Sequence, residues 1–483
     1  MEQRQTVAKS LSENIDILNR LLPMKTSFDL MGRDVYLGSR KAYWVGLNGF
    51  CVTDVLEKIF TGLQYTDEGS DTEISDLRKF MAIKIGFVQL SYETDYDKIL
   101  QNLTSGNSLL FVDGFDEAVV MDTRTYPSRG VEEPELEKMT RGARDGFNET
   151  LLTNANLIRR RVRSSQLIFE IHSVGKVGKT DVAITYLQDR CEPELVKRVT
   201  NALKSLDVTS LTMGSKSLEE LLVKRRWWNP LPSMQMTERP DVAASYLTEG
   251  HVLLLVDNTP MALILPCTIF QFIQSAEDYY KNPIVGTYLR LIRFMCLPVA
   301  LLLMPLFLLF TAYYPELSQK WELITTEYPT KGELIFFVLV VEFLLALFQY
   351  SVSLSSDKFS GSLSIVGGLL IGDMAVNLNW SSSEVLFYGA ITLLATLSVS
   401  CVELSDALRI FRMFLILCTA FGGPIGFWVG LALMTISIVT TPTFGGFSYF
   451  WPLFPFNAKA LKFLLFRTPT AKAQPSKVWK RGH

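Results

Sequence analysis

Histidine is scarce: the chain has three in 483 residues, His172, His251 and His483, far apart. That spacing excludes a histidine-based zinc site. Cysteine is also sparse. Cys51, Cys191, Cys267, Cys296, Cys401 and Cys418 show no paired spacing, so neither a disulfide framework nor a metal cluster is expected. Neither sign of charge is in excess, with 47 basic against 49 acidic side chains, which excludes the basic footprint of a nucleic-acid binder. A nucleophile elbow, an HExxH motif and a dinucleotide glycine fingerprint are all missing. We therefore expect no enzyme, no metal and no cofactor. The first twenty residues, MEQRQTVAKSLSENIDILNR, carry no apolar run, so neither a secretory signal nor an anchor is expected there. One near miss is SVGKVGKT, which ends in Gly178-Lys179-Thr180 but has Ser173 where a phosphate-binding loop needs glycine. Alternating apolar residues on both sides predict a hairpin turned at this stretch.

The charge that is present is unevenly spread. Residues 1–286 are charge-rich, 297–440 are overwhelmingly apolar, and 457–483 carry seven Lys and Arg without an acid. The charge-rich half repeats itself. LTSGNSLLFVDGFDEAVV, from Leu103, aligns with LTEGHVLLLVDNTPMALI, from Leu247, at an offset of 144. Each copy reads as a helix end, a glycine cap, a buried strand, a tight turn and a second strand. The expected fold class is an α/β soluble N-terminal half built from two similar α/β subdomains, followed by an all-α polytopic membrane domain. The expected boundaries are 1–130 and 165–286 for the subdomains, 131–164 for a charged linker, 287–456 for the membrane domain and 457–483 for a basic cytoplasmic tail. The linker ends in Arg159, Arg160, Arg161 and Arg163. These read equally as a solvated face or as a contact with acidic protein surface or lipid headgroups.

A membrane span needs ~20 mostly apolar residues. Candidates are 297–313, 334–352, 363–378, 385–402 and 413–440. Basic residues mark the cytoplasmic side: Arg290 and Arg293 precede the first candidate, and Arg409 and Arg412 precede the last. Five full spans would leave the basic tail outside, so one segment is expected to break or re-enter. Gly422-Gly423-Pro424 is one such break, and 363–378, with Gly367-Gly368 and Gly372-Asp373, is its rival. Intramembrane carboxylates commonly face a bundle interior or an ion path. Glu342, inside FFVLVVEFLLALFQY, and Asp373 are therefore candidate pore or intramembrane polar residues, and Glu403 is a third candidate near a segment end. The alternative for Glu342 is a neutral, hydrogen-bonded acid between helices.

Long stretches resemble the A-subunit family of bacterial spore germinant receptors. They include EEPELEKMTRGARDGFNETLLTNANLIRRR (from Glu132), TERPDVAASYLTEGHVLLLVDNTPMALILP (from Thr237), QSAEDYY, LRLIRF and GSLSIVGGLLIGDMAV. The residues after Glu342, LFQYS, and the ending TTPTFGGFSYFWPLFPF depart from typical receptors and look closer to the branch called stage V sporulation protein AF. The resemblance implies a multi-pass protein of the spore inner membrane, with its N-terminal half in the spore core. It implies homo-oligomers, pentamer-like, that act as ion channels in germination. Implied partners are receptor B- and C-type subunits, dipicolinic acid channel proteins or a small membrane protein. Membrane lipid is a further partner. Arg141, Arg159, Arg160, Arg161, Arg290 and Arg293 are candidates for coupling the soluble and membrane parts or for an interface. A non-conducting scaffold for the same partners is the alternative.

Overall fold

The fold is taken from a computed structural model. It describes residues 5–37, 40–51, 53–64, 76–85, 89–124, 142–223, 227–320, 330–354, 377, 382–444 and 448–467. The chain divides into two compact units. The first consists mainly of Met1–Lys224 and Met234–Pro266, the second of Arg225–Ser233 and Cys267–Ala473.

The first unit runs through one element order twice. The first copy is α1 (Leu11–Leu21), β1 (Leu30–Leu37), β2 (Arg40–Leu47), α2 (Thr53–Gln64), α3 (Leu77–Lys84), β3 (Leu90–Glu93), α4 (Tyr96–Thr104), β4 (Ser108–Val112) and β5 (Ala118–Met121). The second is α5 (Leu151–Arg161), β6 (Leu167–Val174), β7 (Thr180–Leu187), α6 (Pro193–Lys204), α7 (Ser215–Leu222), β8 (Gln235–Thr237), α8 (Pro240–Thr248), β9 (Val252–Val256) and β10 (Ala262–Leu265). The sheets have matching orders, β1-β2-β4-β5-β3 and β6-β7-β9-β10-β8, and every pairing is antiparallel. The offset of 144 carries α4 onto α8, β4 onto β9 and β5 onto β10, residue for residue.

The apolar runs SLLFV and VLLLV follow from burial on both faces of each sheet. Leu109, Phe111, Ala118 and Val120 pack with α1 and α4, while Leu110, Val112, Val119 and Met121 pack with α2 and α3. In the second copy Leu253, Leu255, Ala262 and Ile264 face α5 and α8, which is the same parity. The aspartate after each central strand has a local task. Asp113 Oδ1 accepts from Leu11 N at 3.0 Å, and Asp257 Oδ1 accepts from Leu151 N at 3.2 Å. Each satisfies an orphan donor at the start of the first helix of its copy. Asn14 and Asn154 repeat a second clasp, each accepting from and donating to the backbone six residues earlier.

Helix α5 is therefore the counterpart of α1 and opens the second copy; it does not stand as a solvated linker. Leu151, Ala155, Leu157 and Ile158 are buried against the sheet, which ties the arginine-rich end of the helix to the core. The stretch SVGKVGKT turns the β6–β7 hairpin, with Val174 opposite Thr180.

Two neighbouring positions, His251 and Glu249, distinguish the copies by pH, where the first copy has Asn107 and Ser105. His251 is fully buried with its ring edge-on to Tyr246, and burial pushes its imidazole down to about 4. Burial pushes the nearby Glu249 carboxyl up to about 7. Below the ordinary histidine value the unfolded chain binds a proton that the folded one excludes, so His251 lowers stability as pH falls toward about 4. Glu249 acts oppositely, because the folded form binds the extra proton and stability falls as pH rises toward about 7. The two slopes oppose each other between pH 4.5 and 6.5, the ordinary values of the two groups. Asn107 occupies the position of His251 in the first copy. His251→Asn is expected to expose the Glu249 slope alone, giving a melting temperature that rises as pH is lowered from 7 to 5, where the parent changes little.

The second unit is helical: α9 (Glu277–Tyr280), α10 (Pro283–Tyr313), α11 (Pro315–Lys320), α12 (Lys331–Leu354), α13 (Ser383–Leu397), α14 (Val402–Val439) and α15 (Ala458–Leu465). Among the described residues three helices are long and apolar enough to cross a membrane, Pro283–Tyr313, Lys331–Tyr350 and Val402–Val439, and Ser383–Leu397 is a shorter apolar helix. The candidate 363–378 lies outside the described residues apart from Asn377. The unit begins at Cys267, earlier than the boundary at 286 expected from charge, because Cys267, Phe270, Phe272 and Ile273 are buried with Leu404, Leu408 and Phe411 of α14.

Helix α14 is bent back on itself at Gly423, whose φ of 58° and ψ of −142° are non-helical. A Cβ at Gly426 would meet the Cys418 carbonyl oxygen at 2.0 Å, and one at Gly430 would meet Cys418 Cβ at 3.0 Å and Leu415 Cδ1 at 3.1 Å. Residues so far apart along a straight helix cannot touch at 1.5 Å rise per residue; the limbs 402–422 and 424–439 therefore lie side by side. Pro424 opens the second limb, where its missing N–H costs nothing. The tip is sealed by Tyr313, whose ring would be 2.8 Å from a Gly423 Cβ and whose hydroxyl donates to Ala420 O at 3.2 Å. The hairpin returns the chain to the end of the unit from which α10 departs. There Ile269 N donates to Tyr449 O at 3.0 Å and Asn229 Nδ2 to Thr441 Oγ1 at 2.9 Å.

Candidate functional site

Glu342 lies in the middle of α12 and is 1% exposed. Its carboxylate is held by Arg412 of α14, with Nε donating to Oε1 at 2.8 Å and Nη2 to Oε2 at 2.9 Å. The remaining nitrogen, Nη1, donates to Ala300 O of α10 at 2.8 Å and to Thr396 Oγ1 of α13 at 3.2 Å. Four of the five guanidinium donors are used. The Thr396 hydroxyl in turn donates to Thr392 O at 2.7 Å, one turn back. One buried cation thus joins four helices. Close packing beside it is possible because Gly389 of α13 has no Cβ; one would stand 2.7 Å from Val341 Cγ1.

This geometry answers why a carboxylate sits inside an apolar run: it balances a buried arginine. It also revises the reading of Arg412 as a basic residue ahead of the last segment. Helix α14 starts at Val402, and Arg412 lies inside it, 2% exposed. Arg409, half-buried and bonded to Asp406 at 3.1 Å, is the basic residue nearer the helix start. Sequence reading missed the pair because its members are 70 positions apart. An acid inside one apolar segment and two bases at the start of another are the signal, and that signal does not say which base meets the acid.

The other named residues fall into separate places. Glu403 sits in the first turn of α14, where the helix dipole favours a carboxylate. Gly422, Gly423 and Pro424 lie at the hairpin tip. Asp373 and Arg141 lie outside the described residues. Arg159, at the end of α5, is buried and donates through Nε to Asp29 Oδ2 at 2.8 Å, and through Nη1 and Nη2 to the carbonyls of Ser164 and Leu167 at 2.7 and 2.9 Å. Asp29 belongs to the first copy, where Ser27 Oγ also donates to it and accepts from Phe169 N at 2.9 Å. Arg159 therefore links the two copies. Arg161 pairs with Asp145 at 2.5 Å, and Arg160 is exposed. Arg290 and Arg293 both bind Asp278, ahead of the first apolar helix.

The family model described as Bacillus/Clostridium GerA spore germination protein matches residues 17–477. The chain belongs to the GerA family of spore germination proteins. Stage V sporulation protein AF of Bacillus subtilis (strain 168) is 32% identical to it over 99% of this chain and 97% of that protein. Spore germination protein KA of the same organism is 32% identical over 78% of this chain and 69% of its own length. Among solved structures, the N-terminal domain of the A subunit of the Bacillus megaterium spore germinant receptor GerK3 matches at 25% identity and a TM-score of 0.43, covering 55% of this chain and 97% of that domain. This member of the GerA family combines two sheets of one topology with helices apolar enough for a membrane.

Proposed function

We propose that this GerA-family protein is a multi-pass subunit of the spore inner membrane that assembles into a homo-oligomeric, pentamer-like cation channel and releases ions or amplifies the germination signal. The observation that supports it is the Glu342–Arg412 node. A buried carboxylate held by one hairpin is a charge that a hairpin movement would release into a shared path. Rings of such carboxylates select cations. Asp373 and Glu403 are further acids of the path, and the exposed Arg160 is a candidate for contact with a partner. Only about a third of each candidate span is buried within one chain, leaving apolar surface for neighbouring copies as well as lipid. The soluble half would face the spore core, and receptor B- and C-type subunits or dipicolinic acid channel proteins would be its partners.

One observation favours a second reading. Arg412 neutralises Glu342 inside the chain, which suits a non-conducting scaffold for the same partners. Reconstitution into planar bilayers separates the two. The channel reading expects monovalent cation currents, altered in selectivity or conductance by Glu342→Gln. Absence of current in every partner combination would leave the scaffold.

A further inference from the structure

Where α10 begins, the end of the chain folds back on it. Arg467 Nη2 donates to Tyr279 O at 2.6 Å, its Nη1 binds Lys281 O, and its backbone N donates to Thr287 Oγ1 at 3.1 Å. Arg290 Nη1 donates to Leu464 O at the end of α15, at 3.0 Å. The guanidinium carbons of Arg290 and Arg467 stand 5.4 and 5.9 Å from the centroid of the Tyr279 ring. Helix α15, capped by Asn457, is thereby fixed beside the start of an apolar helix.

The surface of this elbow has two components. Helix α15 buries Ala460 and Leu464 and exposes Lys459 and Lys462. Around them Phe454, Phe456 and Phe466 are exposed. On α10 Ile284, Tyr288, Leu291 and Met295 are exposed at helical spacing along one face, leading into the candidate span. Within residues 274–296 and 457–467 there are six cations, Lys281, Arg290, Arg293, Lys459, Lys462 and Arg467, against Glu277 and Asp278. Exposed aromatic and aliphatic side chains beside the exposed Lys459 and Lys462, which make no ion pair among the described residues, are unfavourable in water and suited to the boundary between headgroups and acyl chains.

We propose that this elbow lies in the bilayer interface and binds the phosphate headgroups of anionic phospholipid. Lys459 and Lys462 supply the exposed charge, and the phenylalanines enter the acyl boundary. The inference rests on a membrane location and holds whether or not the oligomer conducts. The test uses full-length protein in neutral detergent, offered equal amounts of phosphatidylglycerol and phosphatidylcholine, with retained lipid read by native mass spectrometry. The protein is expected to retain phosphatidylglycerol preferentially. Lys459→Gln with Lys462→Gln is expected to cut that preference roughly 25-fold, about five-fold per lysine at ~1 kcal/mol each near an anionic surface. Lys197→Gln with Lys204→Gln, in α6 of the soluble unit, should leave it unchanged. An unaltered melting temperature shows that the elbow variant is folded; if it does not fold, the titration is repeated with Lys459→Gln alone, for a five-fold loss. Equal retention of both lipids by the parent, or an undiminished preference in the variant, overturns the proposal. Displacement of the lipid by millimolar inorganic phosphate also overturns it, in favour of a soluble anion.

Discussion

Glu342→Ala is expected to be among the most damaging single substitutions in the helical unit, and worse than Arg412→Ala. Removing one member of a buried pair costs ~3–5 kcal/mol, because the survivor keeps its desolvation cost without its partner. The two survivors differ chemically. A stranded carboxylate can bind a proton and become a neutral acid. A stranded guanidinium cannot lose one. In the Glu342→Ala chain Arg412 would keep only Ala300 O and Thr396 Oγ1 as acceptors for a full positive charge. Against an ordinary domain stability of ~5–15 kcal/mol, either loss is a large fraction. Glu342→Leu combined with Arg412→Met removes both charges and should recover most of the stability, as buried pairs replaced by apolar residues commonly do. Thermal melts of the detergent-solubilised variants would check the order: double variant above Arg412→Ala, and Arg412→Ala above Glu342→Ala. A double variant that is no better than the singles would show that the pair is not the source of the loss. The same series separates packing from function, because a double variant that folds without conducting would assign the charges to the ion path.

In the soluble unit, Asp29→Ala or Arg159→Ala should each cost ~3–5 kcal/mol for the same reason. The pair is 1–2% exposed, and Arg159 also stands 5.3 Å from the centroid of the Phe169 ring, which packs edge-on to Phe28. The damage should concentrate where the copies meet, around Ser27, Phe28 and Phe169, which hydrogen-exchange protection would report. Arg159→Lys should not rescue. A lysine has no planar fork to serve Asp29, Ser164 O and Leu167 O together. Protection at Phe169 that survives in Asp29→Ala would rule out this joint.

Much of the soluble half was legible in the sequence because its signal is local. The match at an offset of 144 reproduces the register of α8, β9 and β10 on α4, β4 and β5, and the glycine before each central strand takes the positive φ that a helix cap requires, 100° at Gly106 and 92° at Gly250. The earlier part of the repeat drifted to an offset of 140, as α1 on α5 and α2 on α6 show. Few identities survive there, and charge at the end of α5 disguised it as a linker. The end of the soluble unit was also misplaced, since residues 267–286 carry charge and yet bury Phe270 and Phe272 in the helical unit.

By itself the sequence determined where apolar surface must be buried and where the chain must turn. Two buried five-residue strands, a glycine-proline break after Phe421 and long apolar segments follow from residue type and spacing, because hydrophobicity and backbone freedom act over a few residues. The tertiary structure alone decided which charges meet. Arg412 could have been a loop base, and Glu342 could have faced any neighbour. Only the return of the chain at Gly423 and the approach of α10, α12 and α13 bring Glu342, Ala300 O and Thr396 within bonding distance of one guanidinium. Pairing of buried charges depends on distance in space, and sequence periodicity carries no record of that distance.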